Sequence, residues 1–328
     1  MALRATITLC VLGLAPSSTL LACGSGPRTE VQSAVIGAPN APTPGWTDAG
    51  APLAPTAPPR AERPLGEAMT FGHPPLRVGD KFEEQTSNAY TMTMRIGSVG
   101  ASPQVTSIEN TERETKQVEV LAVAKDAITK LRVNYTEKST IVGMGGTNAP
   151  SPAPIAGKTY VVEAKDGKTT VLSDHASAPP SAEVAAVLKD HRRLGKPDAI
   201  ALRMPERPLH IGEVVPELAQ AVSEELGEDN MKPAAVRVML RERKGDAGVF
   251  ELTLTLTRDE GMMSFSVTLS GQMTLRTSDA QMTSVDLTGP LVIAPSATAL
   301  GVQGPQPTSV EGDGRMELHV RRVYSGSR

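Results

Sequence analysis

Along the second half of the chain, apolar and polar residues alternate with a period of two. Phe250, Leu252, Leu254 and Leu256 share one face of a run whose other face is Glu and Thr. Met263, Phe265, Val267, Leu269, Met273 and Leu275 repeat the pattern, and Met316, Leu318, Val320, Arg322 and Tyr324 continue it near the C-terminus. Strict alternation predicts antiparallel strands with one buried and one wet face. Thr and Ser fill the wet face, as strand propensity favours. The first half carries the pattern more weakly. Residues 90–96, 118–123 and 127–141 read as strands. In the last of these Leu131, Val133 and Tyr135 face one way, and Lys130, Arg132 and Lys138 the other. Residues 157–164 and 168–172 read as a hairpin turning at Asp166-Gly167.

Between the halves the period changes to that of a helix. Ser181 follows Pro179-Pro180 and is placed to cap a helix with Val184, Val187, Leu188 and His191 on one stripe. A second helix, from about 214 to 226, carries Leu218, Val222 and Leu226, and Gly227 ends it. The expected fold is β-rich α+β: antiparallel curved sheets in two related halves, 70–205 and 206–328, with two short amphipathic helices between them. The relation between the halves rests on an echo. Pro75-Leu-Arg-Val-Gly-Asp80 matches Pro208-Leu-His-Ile-Gly-Glu213 in every residue class. A duplication and a coincidence at two strand entrances both fit it, because Asp80 opens an expected strand and Glu213 an expected helix.

Upstream of the folded region the alternation disappears. Residues 24–69 are rich in Pro, Ala, Gly and Thr. Proline removes backbone donors and the small side chains give little to bury, so 23–69 reads as a disordered or polyproline-like tether. At about 3.1 Å per residue it would reach on the order of 100 Å. Residues 1–22 have the layout of a signal peptide: Arg4, an apolar stretch at 7–15, then small residues. That stretch is far below the roughly 20 apolar residues a spanning helix needs. Leu20, Leu21 and Ala22 lead into Cys23 as a lipobox, the site where a lipoprotein signal peptidase cuts before a lipidated cysteine. The competing reading is a secretory signal with a chance cysteine. Lipid on Cys23, palmitate included, would make the membrane the first partner, since each buried CH₂ contributes about 0.8 kcal/mol. Gly24, where enterobacterial-type sorting would use Asp for the inner membrane, points to the outer membrane. The expected location is the cell envelope, with the body in the periplasm or at the surface.

Composition narrows the chemistry. The chain has two cysteines. Cys10 leaves with the signal peptide and Cys23 takes lipid, so the body has no disulfide or thiolate site. Aromatic residues make up 3% of the chain and the net charge is -3. Stacking platforms and basic tracts are therefore absent, and no nucleic-acid partner is expected. The five histidines, His73, His175, His191, His210 and His319, show no metal-pair spacing. His191 reads as packing and His319 as facing water. No GxSxG elbow occurs, and the Gly-rich 143–146 lacks the lysine and helix of a phosphate loop. Glu83 and Glu84 point to opposite faces of a strand, and Glu224-Glu225 reads as a solvated helix edge. Glu311 and Asp313 among glycines hint at a cation loop but supply too few ligands. No catalytic residue, metal or cofactor is expected.

The lipobox, the Pro-rich tether and Pro205-Glu-Arg-Pro-Leu-His-Ile-Gly-Glu213 resemble a family of uncharacterised bacterial lipoproteins with a "Pro-x-x-Val-Gly-Asp" entrance. Leu269-Ser-Gly-Gln-Met-Thr-Leu-Arg-Thr-Ser-Asp279 is similar to that family as well. Many members carry a tryptophan soon after the acidic residue. Here Val214 and Val215 stand there, with Phe82 in a similar place in the first half. The resemblance implies a β-leaning body and no assigned activity. The leading expectation is a non-enzymatic binding or scaffold protein, partnered by a lipid or an envelope protein. A hydrophobic-ligand carrier is the alternative, with Met263, Phe265, Met273 and Met316 as its apolar face, because Met adapts to variable guests. The same methionines would equally fill a core short of aromatics. An enzyme of unrecognised type is the third reading.

Overall fold

The computed structural model describes residues 66–73, 77–97, 102–143, 149–226, 232–260, 263–295 and 309–325. The signal peptide, the lipobox with Cys23, the tether to residue 65, Gly227 and most of the Gly-rich 143–146 lie outside the described residues.

The body is a β-rich α+β fold built on one antiparallel sheet. In chain order the strands are β1 (Ala68–Met69), β2 (Lys81–Gly97), β3 (Gln104–Ala124), β4 (Ala127–Gly143), β5 (Ser151–Pro152), β6 (Lys158–Lys165), β7 (Lys168–Ser173), β8 (Leu209–His210), β9 (Lys232–Lys244), β10 (Ala247–Glu260), β11 (Met263–Arg276), β12 (Met282–Pro295) and β13 (Ser309–Ser325). The helices are α1 (Ser181–Asp190), α2 (Ala199–Arg203) and α3 (Pro216–Leu226). The main sheet runs β7-β6-β4-β3-β2-β13-β12-β11-β10-β9, with β5 beside β4. Each half is a meander of hairpins. The last strand returns beside the first long one, so β13 against β2 is the seam where the halves join.

The alternating runs become strands with the predicted faces. Phe250, Leu252, Leu254 and Leu256 are fully buried, as are Met273, Leu275, Met316, Leu318 and Val320. Leu131, Val133 and Tyr135 are buried in a cluster with Tyr160, Val162 and Val187. The β6–β7 hairpin turns at Asp166 and Gly167, with φ of 50° and 73°, the two left-handed residues a tight hairpin requires. Two inner-face glycines let strands approach closely. A Cβ on Gly271 would lie 1.9 Å from the Asp286 carbonyl oxygen, and one on Gly289 1.8 Å from that of Thr268. Such positions let a sheet bend towards its inner face. There α1 contributes Val187, and α3 contributes Leu218, Val222 and Leu226.

The structure also corrects the sequence reading. Strands β9 and β12, and helix α2, have no counterpart in it. Strands β2 and β3 extend well beyond the apolar stretches expected at 90–96 and 118–123. Ser181 does not cap α1: Pro180 holds the cap position and no side chain bonds there. Lys138 does not share the outer face with Lys130 and Arg132. Thr115 pairs with Glu137 and Lys116 with Tyr135, so Thr136 is an extra residue, a bulge that turns Lys138 inward. Glu225 is not on a solvated edge. It is 1% exposed and paired to Arg193 at 3.1 Å, while Glu224 meets Arg203 at the surface.

The described parts of the echoed hexapeptides, 77–80 and 210–213, have the same geometry. Asp80 Oδ2 accepts the Arg77 amide and Glu213 Oε2 the His210 amide, at 3.0 and 2.9 Å. Gly79 and Gly212 sit at φ 90° and 91°, a region glycine enters without penalty. Each glycine amide then donates to a strand carbonyl, Val120 for Gly79 and Leu240 for Gly212, both at 2.8 Å. The strand amides return the bond to Asp80 and Glu213, at 2.9 Å each. Beyond that, Phe82 pairs with Val118, and the Val215 amide donates to the Val238 carbonyl in the corresponding place. Only then do the two diverge, into the long β2 and into α3. Residues 213–215 thereby cover part of the open β9 edge, which would otherwise offer unpaired backbone.

Residues 66–73, at the end of the expected tether, join the body. β1 pairs with β8, and the Gly72 amide donates to the Thr277 carbonyl at 2.7 Å. Phe71 packs on Phe250 with ring centroids 5.6 Å apart, over the bare Cα of Gly248.

Candidate functional site

The inner face is polar where the halves meet. Register sets this out in rungs. Tyr135, Lys116, Glu84 and Arg322 lie side by side across β4, β3, β2 and β13. Next to them stand Lys138, Glu114 and Thr86. The charges alternate. Arg322 holds Glu84 through Nε at 3.0 Å and Nη2 at 2.5 Å. Lys116 Nζ lies 2.9 Å from Glu84 and 2.5 Å from Glu114. Lys138 bridges Glu114 at 2.6 Å and Asp190, the last residue of α1, at 2.7 Å.

Burying such a ladder does not by itself stabilise a fold, because desolvation opposes the Coulomb attraction. Burial works against ionisation of Glu84, yet the Lys116 ammonium and the Arg322 guanidinium more than offset it and bring its pKa down to about 2. Burial also opposes the charge on Lys116, and Glu114 and Glu84 outweigh it, so this amine titrates above its ordinary range. His191, the C-cap of α1, sits 3.2 Å from the Tyr135 hydroxyl. Burial, reinforced by the Lys116 charge, lowers its pKa to about 3, so it is a neutral packing and hydrogen-bonding group.

Arg322 belongs also to a pocket of about 210 Å³ at one end of the seam. The first entrance turn brings Arg77, Asp80 and Lys81 to its lining, the segment after α1 brings Arg193, Lys196 and Asp198, and β11 and β13 bring Arg276 and Arg322. Phe82, Val120, Ile128, Met282 and Tyr324 form its apolar wall. Two guanidiniums are stacked on the rings. Arg322 Cζ lies 4.6 Å from the Phe82 centroid and Arg276 Cζ 4.4 Å from that of Tyr324. The rings themselves are 5.7 Å apart. Stacking holds the flat guanidinium in one plane and keeps its N–H edge directed. Carboxylates outside the lining fix the two stacked forks from behind, Glu84 for Arg322 and Asp279 for Arg276, and Glu225 lies 3.1 Å from Arg193 Nε. The two carboxylates in the lining point to backbone. Asp80 accepts the Arg77 amide, and Asp198 accepts Ile200 and Ala201 at the start of α2.

The four candidate apolar-ligand residues do not converge here. Met263 and Phe265 lie at one end of β11 and Met273 towards the other, while Met316 lies on β13 opposite Tyr90. Met273 and Met316 are fully buried, and none of the four lines the seam pocket. The histidines stay apart. His319 is exposed and meets Asp286 at 2.8 Å, His210 meets the Gly66 carbonyl, and His73 that of Ala201. Glu311 and Asp313 stand on the outer face of β13, where Asp313 pairs with Arg95. Among the described residues no group of His, Cys, Asp or Glu has the geometry of a metal site.

Sequence reasoning singled out the hexapeptide ending at Asp80 but neither its turn nor the pocket it lines. Arg193, Arg276 and Arg322 come from three separated segments, and the one signal available was Arg322 at an inward position of an otherwise apolar alternation.

No protein-family model matches the chain, and no curated protein does. Eight solved chains match it by shape. One is a structure titled "Lipid-protein interactions in lipovitellin", at 7% identity and a TM-score of 0.33. The match takes in 76% of this chain and 26% of that one, so this chain spans about a quarter of that protein's length. A TM-score of that size does not establish a common fold.

Proposed function

We propose that the protein is a lipid-anchored binding protein of the bacterial cell envelope, acting without covalent chemistry. The observation that supports binding is the seam pocket, where two halves of one sheet bring charged forks and aromatic rings from distant segments into one concavity. The carboxylates around it are committed, Glu84 and Asp279 to guanidiniums and Asp80 and Asp198 to backbone amides, and the nearby histidine is neutral and bonded to Tyr135. That arrangement orients a guest rather than activating a nucleophile. The anchor is supported by Leu20, Leu21, Ala22 and Cys23. A tether of low-complexity sequence would carry the body away from the membrane and leave the pocket accessible.

Expression of the full chain in a bacterial host with labelled palmitate tests the anchor. The wild type should take up label and sediment with membranes, and Cys23→Ser should do neither. Equal membrane association of both proteins would reject it. Mass spectrometry of the gently extracted full-length protein tests binding, with a co-purifying small molecule expected. The apolar-carrier version predicts a neutral acyl lipid in that extract.

A further inference from the structure

We infer that the seam pocket receives an organic anion, a carboxylate or phosphate carried on a short apolar body; this rests on the binding reading above and names its ligand class. Arg77, Lys81, Arg193, Lys196, Arg276 and Arg322 contribute positive charge to the lining, against Asp80 and Asp198. Both of those carboxylates are turned onto backbone amides. Four of the six cations are balanced by carboxylates, Lys81 by Glu119, Arg193 by Glu225, Arg276 by Asp279 and Arg322 by Glu84, so an anion would be held by a directed guanidinium edge and not by a net positive field. Arg276 closes on Asp279 through Nε and Nη2, which leaves Nη1 uncommitted among the described residues. A guanidinium pre-oriented by stacking matches carboxylate or phosphate oxygens in a planar, charge-assisted contact. Beside it Phe82, Val120, Ile128 and Met282 offer an apolar wall, so the anion carries hydrocarbon. The volume, about 210 Å³, lies under the roughly 300–1,000 Å³ of drug-sized sites. It admits a head group and a short chain.

The test is calorimetric titration of the purified full-length protein with octanoate, octyl phosphate and n-octanol. Vesicles of phosphatidylcholine with and without phosphatidylglycerol are titrated alongside. Saturable binding of an octyl anion but not of octanol is expected. Arg276→Gln should weaken it about tenfold, the loss of one charge-assisted bond. Should that variant fail to fold, Arg77→Gln/Lys196→Gln changes only exposed side chains and should weaken binding several-fold. Arg315→Gln, on the outer face, should leave it unchanged. Binding of the octyl anions without the vesicles assigns a soluble acid. Binding to phosphatidylglycerol vesicles alone, lost in the same variants, assigns a lipid head group. Octanol binding as tightly as octanoate, or unaltered affinity in both pocket variants, overturns the anion class while the binding reading stands. No binding of any probe, with a clean native extract, overturns both.

Discussion

Glu84 shows how one residue ties the folded state to pH. Its carboxyl is held at about 2 in the fold, against an ordinary value near 4.3 in an open chain. The native state thus binds fewer protons than the unfolded one as pH falls through that interval, and stability present above it is lost on the way down. His191 acts in the same direction over a higher range. It is neutral in the fold until about pH 3 and takes a proton near 6.5 when unfolded. Denaturant melts should show stability falling from pH 7 downward, each group adding up to about 1.4 kcal/mol per pH unit within its own window. His191→Gln should flatten the part between pH 6.5 and 4.5 and reduce the slope from there to about pH 3, leaving the Glu84 contribution. Glu84→Gln leaves Lys116 and Arg322 facing one another, at a cost of about 3–5 kcal/mol at pH 7. Gly79 and Gly212 make a cleaner pair, because a Cβ at either meets nothing within 4 Å. Alanine there should cost about 1–2 kcal/mol from backbone conformation alone, nearly equally at the two sites if the turns are equivalent.

At the scale of the element, the bulge in β4 decides what the ionic ladder contains. Thr136 is the additional residue, anchored by its hydroxyl on the Thr115 carbonyl at 3.0 Å. Without it Lys138 would fall on the outer face, because a one-residue slip exchanges the faces of a strand. Deleting Thr136 should withdraw the Lys138 amine from Glu114 and Asp190 and leave two carboxylates close together at the end of α1. The expected loss is about 3–5 kcal/mol in chemical denaturation, with a marked rise in the pH of half-unfolding. An unchanged melting profile would mean that Lys138 contributes nothing to docking α1. The paired entrance turns work at the same scale. Each locks its incoming chain to a strand by two backbone hydrogen bonds, and the acidic side chain fixes the turn.

At the scale of the whole sheet, β13 joins the two halves. β13 pairs with β2 along its full length, from Ser325 opposite Lys81 to Ser309 opposite Gly97. It also supplies Arg322 to the ladder and the pocket. Each half is a meander contiguous in sequence, and the β13–β2 seam pairs strands distant in sequence. Such long-range pairings make for slow folding, on the order of milliseconds to seconds. Ending the chain at Thr308 should abolish the cooperative unfolding transition of both halves rather than of the second alone, as circular dichroism and proteolysis would show. A residual cooperative melt of the first half would mean that the halves fold independently. The seam places the pocket where the halves meet, so occupancy should raise the melting temperature of the whole body.

The sequence alone determined the β-rich class and the faces of the alternating strands. Strict alternation of large apolar residues with Thr and Ser has one low-energy solution, a sheet with one dry face, and β10, β11 and β13 took it. It also placed α1 and α3 and picked out the two entrances by their matching hexapeptides, whose turn geometry the structure supplied. Where the inner face is charged, the same logic had nothing to grip. Glu84, Thr86 and Asn88 in β2, and Asn110, Glu114 and Lys116 in β3, break the apolar alternation, and only the register, which sets acid against base across strands, shows them to be buried. The bulge at Thr136, the burial of Glu225 and the convergence of Arg193, Arg276 and Arg322 were likewise decided by tertiary structure. The reason is the same in each case: the energy of a buried charge depends on a partner brought beside it by the fold, and that partner is not a neighbour in sequence.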